Sequence, residues 1–142
     1  MQQSLSFLTL GVDDLAASSD FYARLGWQEA PGSRSTLPLY RLGGIILALH
    51  EREALAAEAG LPPVANQGEF SGVLLSHNVA SAAAVDELLA AAMAAGGRCL
   101  RPGSQASWGG YRGSFADPAG HVWEVCFNPF HPLDADGQLI IS

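Results

Sequence analysis

The chain has 142 residues, enough for a sizeable core, and 49% of them are hydrophobic while 15% are charged, against about a quarter in an average domain. A net charge of −7, with no basic patch in the sequence to neutralise phosphates, argues against nucleic-acid binding and disfavours anionic membrane surfaces. No apolar run approaches the roughly 20 residues of a spanning helix, the opening M-Q-Q-S-L-S-F has no signal-peptide pattern, and Cys99 and Cys126 lie far apart without metal or redox spacing, so two reduced thiols in a cytoplasmic protein are expected.

In chain order, Ser4 to Val12 alternates as a strand. Asp13 or Asp14 caps a helix that runs to about Leu25, with Leu15, Phe21, Tyr22 and Leu25 as its apolar stripe and Gly26 as its stop. Trp27 to Ala30 reads as a short strand and Pro31-Gly32-Ser33 as a turn. Leu37–Leu42 and Ile45–His50 form a hairpin around Gly43-Gly44. Glu51 to Ala59 is a short helix ended by Gly60, and Leu61 to Glu69, with Pro62-Pro63 and little periodicity, is a linker. The order then recurs. Phe70–His77 is a strand, and Ser81 caps a helix through Ala95 with Val85, Leu88, Leu89 and Met93 as its stripe. Gly96-Gly97 ends it, Arg98–Leu100 is a short strand, and Pro102-Gly103-Ser104 a turn.

The last piece, Trp108 to Pro129, is a second hairpin. Tyr111–Asp117 and His121–Asn128 are its strands, and Asp117-Pro118-Ala119-Gly120 is its turn, where Pro pre-sets φ and Gly accepts the left-handed corner. If Asp117 pairs with His121, Ser114 stands opposite Glu124 and Arg112 opposite Cys126. Arg112, Ser114 and Glu124 then line one wall, with Trp123 and Phe127 on the other side, and His121 has the wrong parity to join Glu124. A carboxylate inside an apolar run calls for a partner, so Glu124 faces a cation, a ligand, a metal or water.

The halves echo literally. Pro31-Gly32-Ser33 matches Pro102-Gly103-Ser104, Tyr40-Arg41 matches Tyr111-Arg112, and Gly26 matches Gly97. Each half reads strand, helix, strand, strand, strand. The expectation is one α+β domain over 1–142, made of two βαβββ modules at 1–60 and 70–142 joined by the 61–69 linker. The modules form a cupped mixed sheet with helices outside and a ligand cleft between them.

V-D-D-L-A-A-S-S-D-F-Y-A-R-L-G at Val12–Gly26 and F-A-D-P-A-G-H-V-W-E-V at Phe115–Val125 resemble the vicinal oxygen chelate superfamily, the group of glyoxalases, bleomycin-resistance proteins and ring-cleaving dioxygenases. The resemblance implies paired βαβββ modules, frequent homodimers and usually a divalent metal held by one His, Gln or Glu on each of four inward strand positions. In this chain those positions fall on Phe7, on Leu47 or Ala48, on or near Gly72, and on Glu124. Glu124 alone would hold a metal poorly. His50 or His77 could supplement it, and His131 follows in the tail.

Three functions stay open. The first is a small-molecule-binding protein of the bleomycin-resistance type, without metal or other cofactor, with a largely apolar pocket between the modules. Phe7, Trp108 and Tyr111 would hold the ligand, Arg112 and Glu124 would fix its polar ends, and Ser114, Cys126 and His50 would line the pocket. The second is a lyase, isomerase or dioxygenase using zinc, nickel, iron or manganese, with Glu124 as metal ligand or catalytic base. A third is an enzyme that uses Glu124 as a base without metal, its pKa raised by burial. For each candidate a plainer role stands beside it: Arg112 as a partner of Glu124 or Asp117, the aromatics as core, the histidines as strand-end residues.

Overall fold

The computed structural model describes residues 1–62 and 69–141, so most of the expected linker, residues 63–68, lies outside the described residues. The chain divides into two compact units, Met1–Gln67 and Gly68–Ser142.

In the first unit, β1 (Phe7–Val12) leads into α1 (Leu15–Arg24), followed by β2 (Leu39–Leu42), β3 (Ile45–Glu51) and α2 (Arg52–Glu58). Asp14 caps α1 by accepting from Ala17 N at 2.9 Å, and Gly26, at φ 92°, lets the chain leave the helix. The sheet order is β1-β3-β2, with β1 parallel to β3 and β2 antiparallel to it. Leu10 and Val12 share a face with Leu47, Leu49 and Tyr40, and all five are buried. Phe21 and Tyr22 of α1 close over them, with Tyr22 ringed by Trp27 at 4.8 Å and Tyr40 at 5.8 Å.

Trp27–Ala30 is not a strand. The Trp27 indole stacks on Tyr22, and the Ser33 hydroxyl takes both backbone groups of Leu39, accepting from its N–H at 2.9 Å and donating to its carbonyl at 3.1 Å. Only one edge bond is left, from Ala30 N to Leu39 O at 2.7 Å. The fourth strand of this module is thus replaced by a side-chain clasp.

In the second unit, β4 (Leu75–Asn78), α3 (Ala82–Ala94), β5 (Arg98–Gln105), β6 (Tyr111–Ala116) and β7 (Val122–Phe127) form a sheet of order β4-β7-β6-β5. As in the first unit, the opening strand runs parallel to the closing one, here β4 beside β7. This is the internal repeat in three dimensions. β4 begins later than the expected Phe70, because Gly72 at φ 85° bends the chain just before it. α3, capped by Ser81, packs on β5, β6 and β7 through Val85, Leu89 and Ala92, each large side chain contributing roughly 1.5–3 kcal/mol by its burial.

Pro102-Gly103-Ser104 is not a turn but the middle of β5. β5 is an edge strand, where a missing N–H costs no ladder bond. A Cβ at Gly103 would lie 2.2 Å from Asp86 Oδ1 and 2.7 Å from the Tyr111 ring, so these two exposed side-chain tips would have to shift to admit one.

Candidate functional site

The β6–β7 hairpin has the register read from its sequence. Asp117 N donates to His121 O at 2.9 Å, Ser114 stands against Glu124 and Arg112 against Cys126. The turn is held from inside by buried Asp117, whose Oδ1 accepts from Ala119 N at 3.0 Å and from His121 N at 2.9 Å. Register fixes which side chains share a face. One face carries Phe115, Trp123 and Val125 against α3, with the Phe115 and Trp123 rings stacked at 6.4 Å. The other face carries the polar set.

On that second face the pairing runs across all four strands. Arg101 of β5 stands against Ser114 of β6, Ser114 against Glu124 of β7, and Glu124 against Ser76 of β4. The next row holds Ser104, Arg112, Cys126 and Asn78. A recess of about 180 Å³ opens there, lined by Arg101, Arg112, Gly113, Ser114 and Glu124, with Leu74 and Val122 as its apolar flank.

Two residues of this set, Arg112 and Glu124, form an ion pair, Nη1 to Oε2 at 3.4 Å, with side chains 38% and 19% exposed. The pair is long and single-contact, so it contributes little stability, about 0–1 kcal/mol. Its geometry leaves most of the guanidinium's donors, and the second carboxylate oxygen, without a protein partner among the described residues. Cys126 is buried beneath this face, and burial, with the nearby Glu124 charge, pushes its thiol above the usual cysteine range.

Arg101 and Ser76 were not anticipated. In a regular strand Arg101 would share a face with Cys99, which pairs with Phe115 on the α3 side. A register shift between them sets Leu100 and Arg101 together against Ser114, and this bulge turns Arg101 to the polar face. No sequence signal marks a bulge at that point, since the adjacent Pro102 and Gly103 read equally well as a turn. Ser76 follows from the parallel β4–β7 register, which is set by tertiary packing.

The other candidates lie elsewhere. Tyr111 faces α3, where its hydroxyl donates to Asp86 at 3.0 Å; that bond holds the phenol protonated and raises its pKa, and the ring does not line the recess. Trp108 sits in the β5–β6 loop with its indole folded over Gly110, where a Cβ would lie 1.9 Å from the ring. His77 pairs with Val125 and so belongs to the α3 face, opposite Glu124. His131 lies in the tail beyond Asn128.

In the first unit, Phe7 is 52% exposed and shares a face with Ala48, while Leu47 faces α1; of the two positions left open by the sequence, Ala48 is the one beside Phe7. His50 also lies on that face but is taken by α2, with Nε2 3.1 Å from Glu58 Oε1.

A divalent metal at Glu124 is tested by the donors around it. Its row and the next supply two guanidiniums, serine hydroxyls, an asparagine and a buried thiol. Guanidiniums repel a dication and cannot ligate, and the paired Arg112 competes for the one carboxylate. Among the described residues no three His, Cys, Asp or Glu side chains cluster as a metal site. The residues of the second unit do not fit the metal that the resemblance implied.

A family model described as the Glyoxalase/Bleomycin resistance protein/Dioxygenase superfamily matches residues 4–125. No curated protein matches the chain. Among solved structures, a glyoxalase-related enzyme from Fulvimarina pelagi is 35% identical over 99% of both chains, with a TM-score of 0.89. A glyoxalase/bleomycin resistance protein/dioxygenase family enzyme from Burkholderia phytofirmans PsJN is 25% identical over 86% of this chain and 96% of its own, with a TM-score of 0.71. A lactoylglutathione lyase from Agrobacterium tumefaciens, 21% identical over 92% of this chain and 97% of its own with a TM-score of 0.64, shares the fold.

Proposed function

Since this chain belongs to the glyoxalase/bleomycin resistance protein/dioxygenase superfamily, we propose that it binds a small organic molecule on the polar face of its second unit, without a metal ion. The observation that supports this most is the row Arg101–Ser114–Glu124–Ser76. It keeps one carboxylate of the implied metal set and surrounds it with groups suited to a polar ligand. Phe7 and Ala48, at two other implied ligand positions, carry no donor atom at all. In this reading Glu124 orients Arg112 and accepts a hydrogen bond from the ligand, and Leu74 and Val122 take part of its apolar body. The chain acts as a homodimer, which light scattering of the purified protein would check.

Elemental analysis of protein grown with zinc, nickel, iron and manganese and purified without chelator separates this from the metalloenzyme alternative. The expected result is metal well below one equivalent, and a melting temperature that chelator leaves unchanged. One equivalent of a metal that disappears in Glu124→Gln would overturn the proposal in favour of a metal-assisted lyase, isomerase or dioxygenase.

A further inference from the structure

All seven cationic side chains of this acidic protein are arginines, and two of them, Arg101 and Arg112, line the same recess. They arrive there by different routes: Arg112 by the regular alternation of β6, Arg101 by the bulge in β5. Among the described residues Arg101 has no carboxylate within ion-pair distance, and Arg112 has only the 3.4 Å contact to Glu124. With Glu124 ionised, the three side chains leave one positive charge in the recess. The two serines of the row, Ser114 and Ser76, add neutral hydroxyls that can donate.

We propose that the ligand carries a carboxylate, held between the Arg101 and Arg112 guanidiniums with Ser114 beneath it, and an apolar body lying toward Leu74 and Val122. The proposal deepens the binding function above and rests on it. Charge selects the ligand class. A monoanion neutralises the recess, whereas a phosphate dianion would bring a surplus charge beside Glu124. Size agrees, because 180 Å³ corresponds to roughly six water volumes, room for a carboxylate and a short chain. Planar fork geometry favours arginine for carboxylates, which explains why a guanidinium rather than an apolar side chain is turned into this position. Glu124 acts here as a positioning residue for Arg112.

Calorimetric titration of the whole chain with hexanoate, hexanol and inorganic phosphate tests this. Hexanoate is expected to bind, hexanol and phosphate to bind at least about tenfold more weakly, and Arg101→Gln to weaken hexanoate about tenfold or more while leaving the melting temperature unchanged. Arg101→Lys should recover only part of the loss. Equal binding of hexanol and hexanoate, unaffected by Arg101→Gln, would overturn the carboxylate assignment and leave the binding function standing. Tighter binding of phosphate, or no binding of hexanoate, would also overturn the assignment. The binding function itself fails separately, by one equivalent of metal held at Glu124.

Discussion

Asp117 holds the hairpin on which the site depends, and its removal has a calculable cost. The side chain is 3% exposed, and Oδ1 accepts from two backbone N–H groups, Ala119 at 3.0 Å and His121 at 2.9 Å. A hydrogen bond to a charged group is worth roughly 1.5–3 kcal/mol. Because both donors share one oxygen, Asp117→Ala should cost about 3 kcal/mol rather than the sum of two full bonds. For a chain of this length that is a fall of roughly 10 °C in melting temperature. Asp117→Asn keeps an acceptor at the same place and should lose about 1 kcal/mol. Urea unfolding measures both, with the midpoint falling and the slope unchanged. The backbone bond from Asp117 N to His121 O remains in either variant, so the difference between them isolates the side chain. If Asp117→Ala loses no more than Asp117→Asn, the turn is not held by this carboxylate and the reasoning from turn to register is wrong.

Gly113→Ala should cost about 1–3 kcal/mol by overpacking, since its Cβ would lie 2.5 Å from Leu89 Cδ1 and 2.9 Å from Arg101 O. Leu89→Ala should not rescue it fully, because the Arg101 carbonyl is backbone; full rescue in urea unfolding would refute this packing. Tyr40 is buried and its pKa raised by desolvation above 10.0, so the folded state holds its proton more tightly than the unfolded one. The stability this gives is present below pH 10 and lost as pH rises through the higher folded value; Tyr40→Phe should flatten that alkaline decline in melting temperature, and an unchanged decline would count against it. Of the two thiols, exposed Cys99 should react quickly with a disulfide reagent at mildly alkaline pH and buried Cys126 only on unfolding; two fast equivalents would contradict the raised Cys126 pKa.

What could be read from sequence follows the range of the forces involved. The hairpin register was legible because a tight Asp-Pro-Ala-Gly turn fixes pairing locally, and strict alternation then assigns Arg112, Ser114 and Glu124 to one face. The same alternation places Tyr111 on the opposite face, so its ring does not share the ligand surface with Arg112 and Ser114. The helices were legible from caps and glycine stops at Asp14, Ser81, Gly26 and Gly96. Trp27–Ala30 and Pro102–Ser104 were misassigned in opposite senses. A serine clasp removed a strand in the first unit, and an edge position admitted a proline to a strand in the second. Neither a side-chain clasp nor a strand's edge position leaves a mark in hydrophobic alternation. Arg101 was hidden for the same reason, its direction being set by a bulge.

Amide chemical-shift mapping during a hexanoate titration tests most directly whether this face is the binding surface. The expected shifts centre on Arg101, Arg112, Ser114, Glu124 and Ser76, with Leu89 and Tyr111 on the α3 side little changed. Shifts that leave Ser114 and Glu124 unmoved while the α3 side responds would contradict the account.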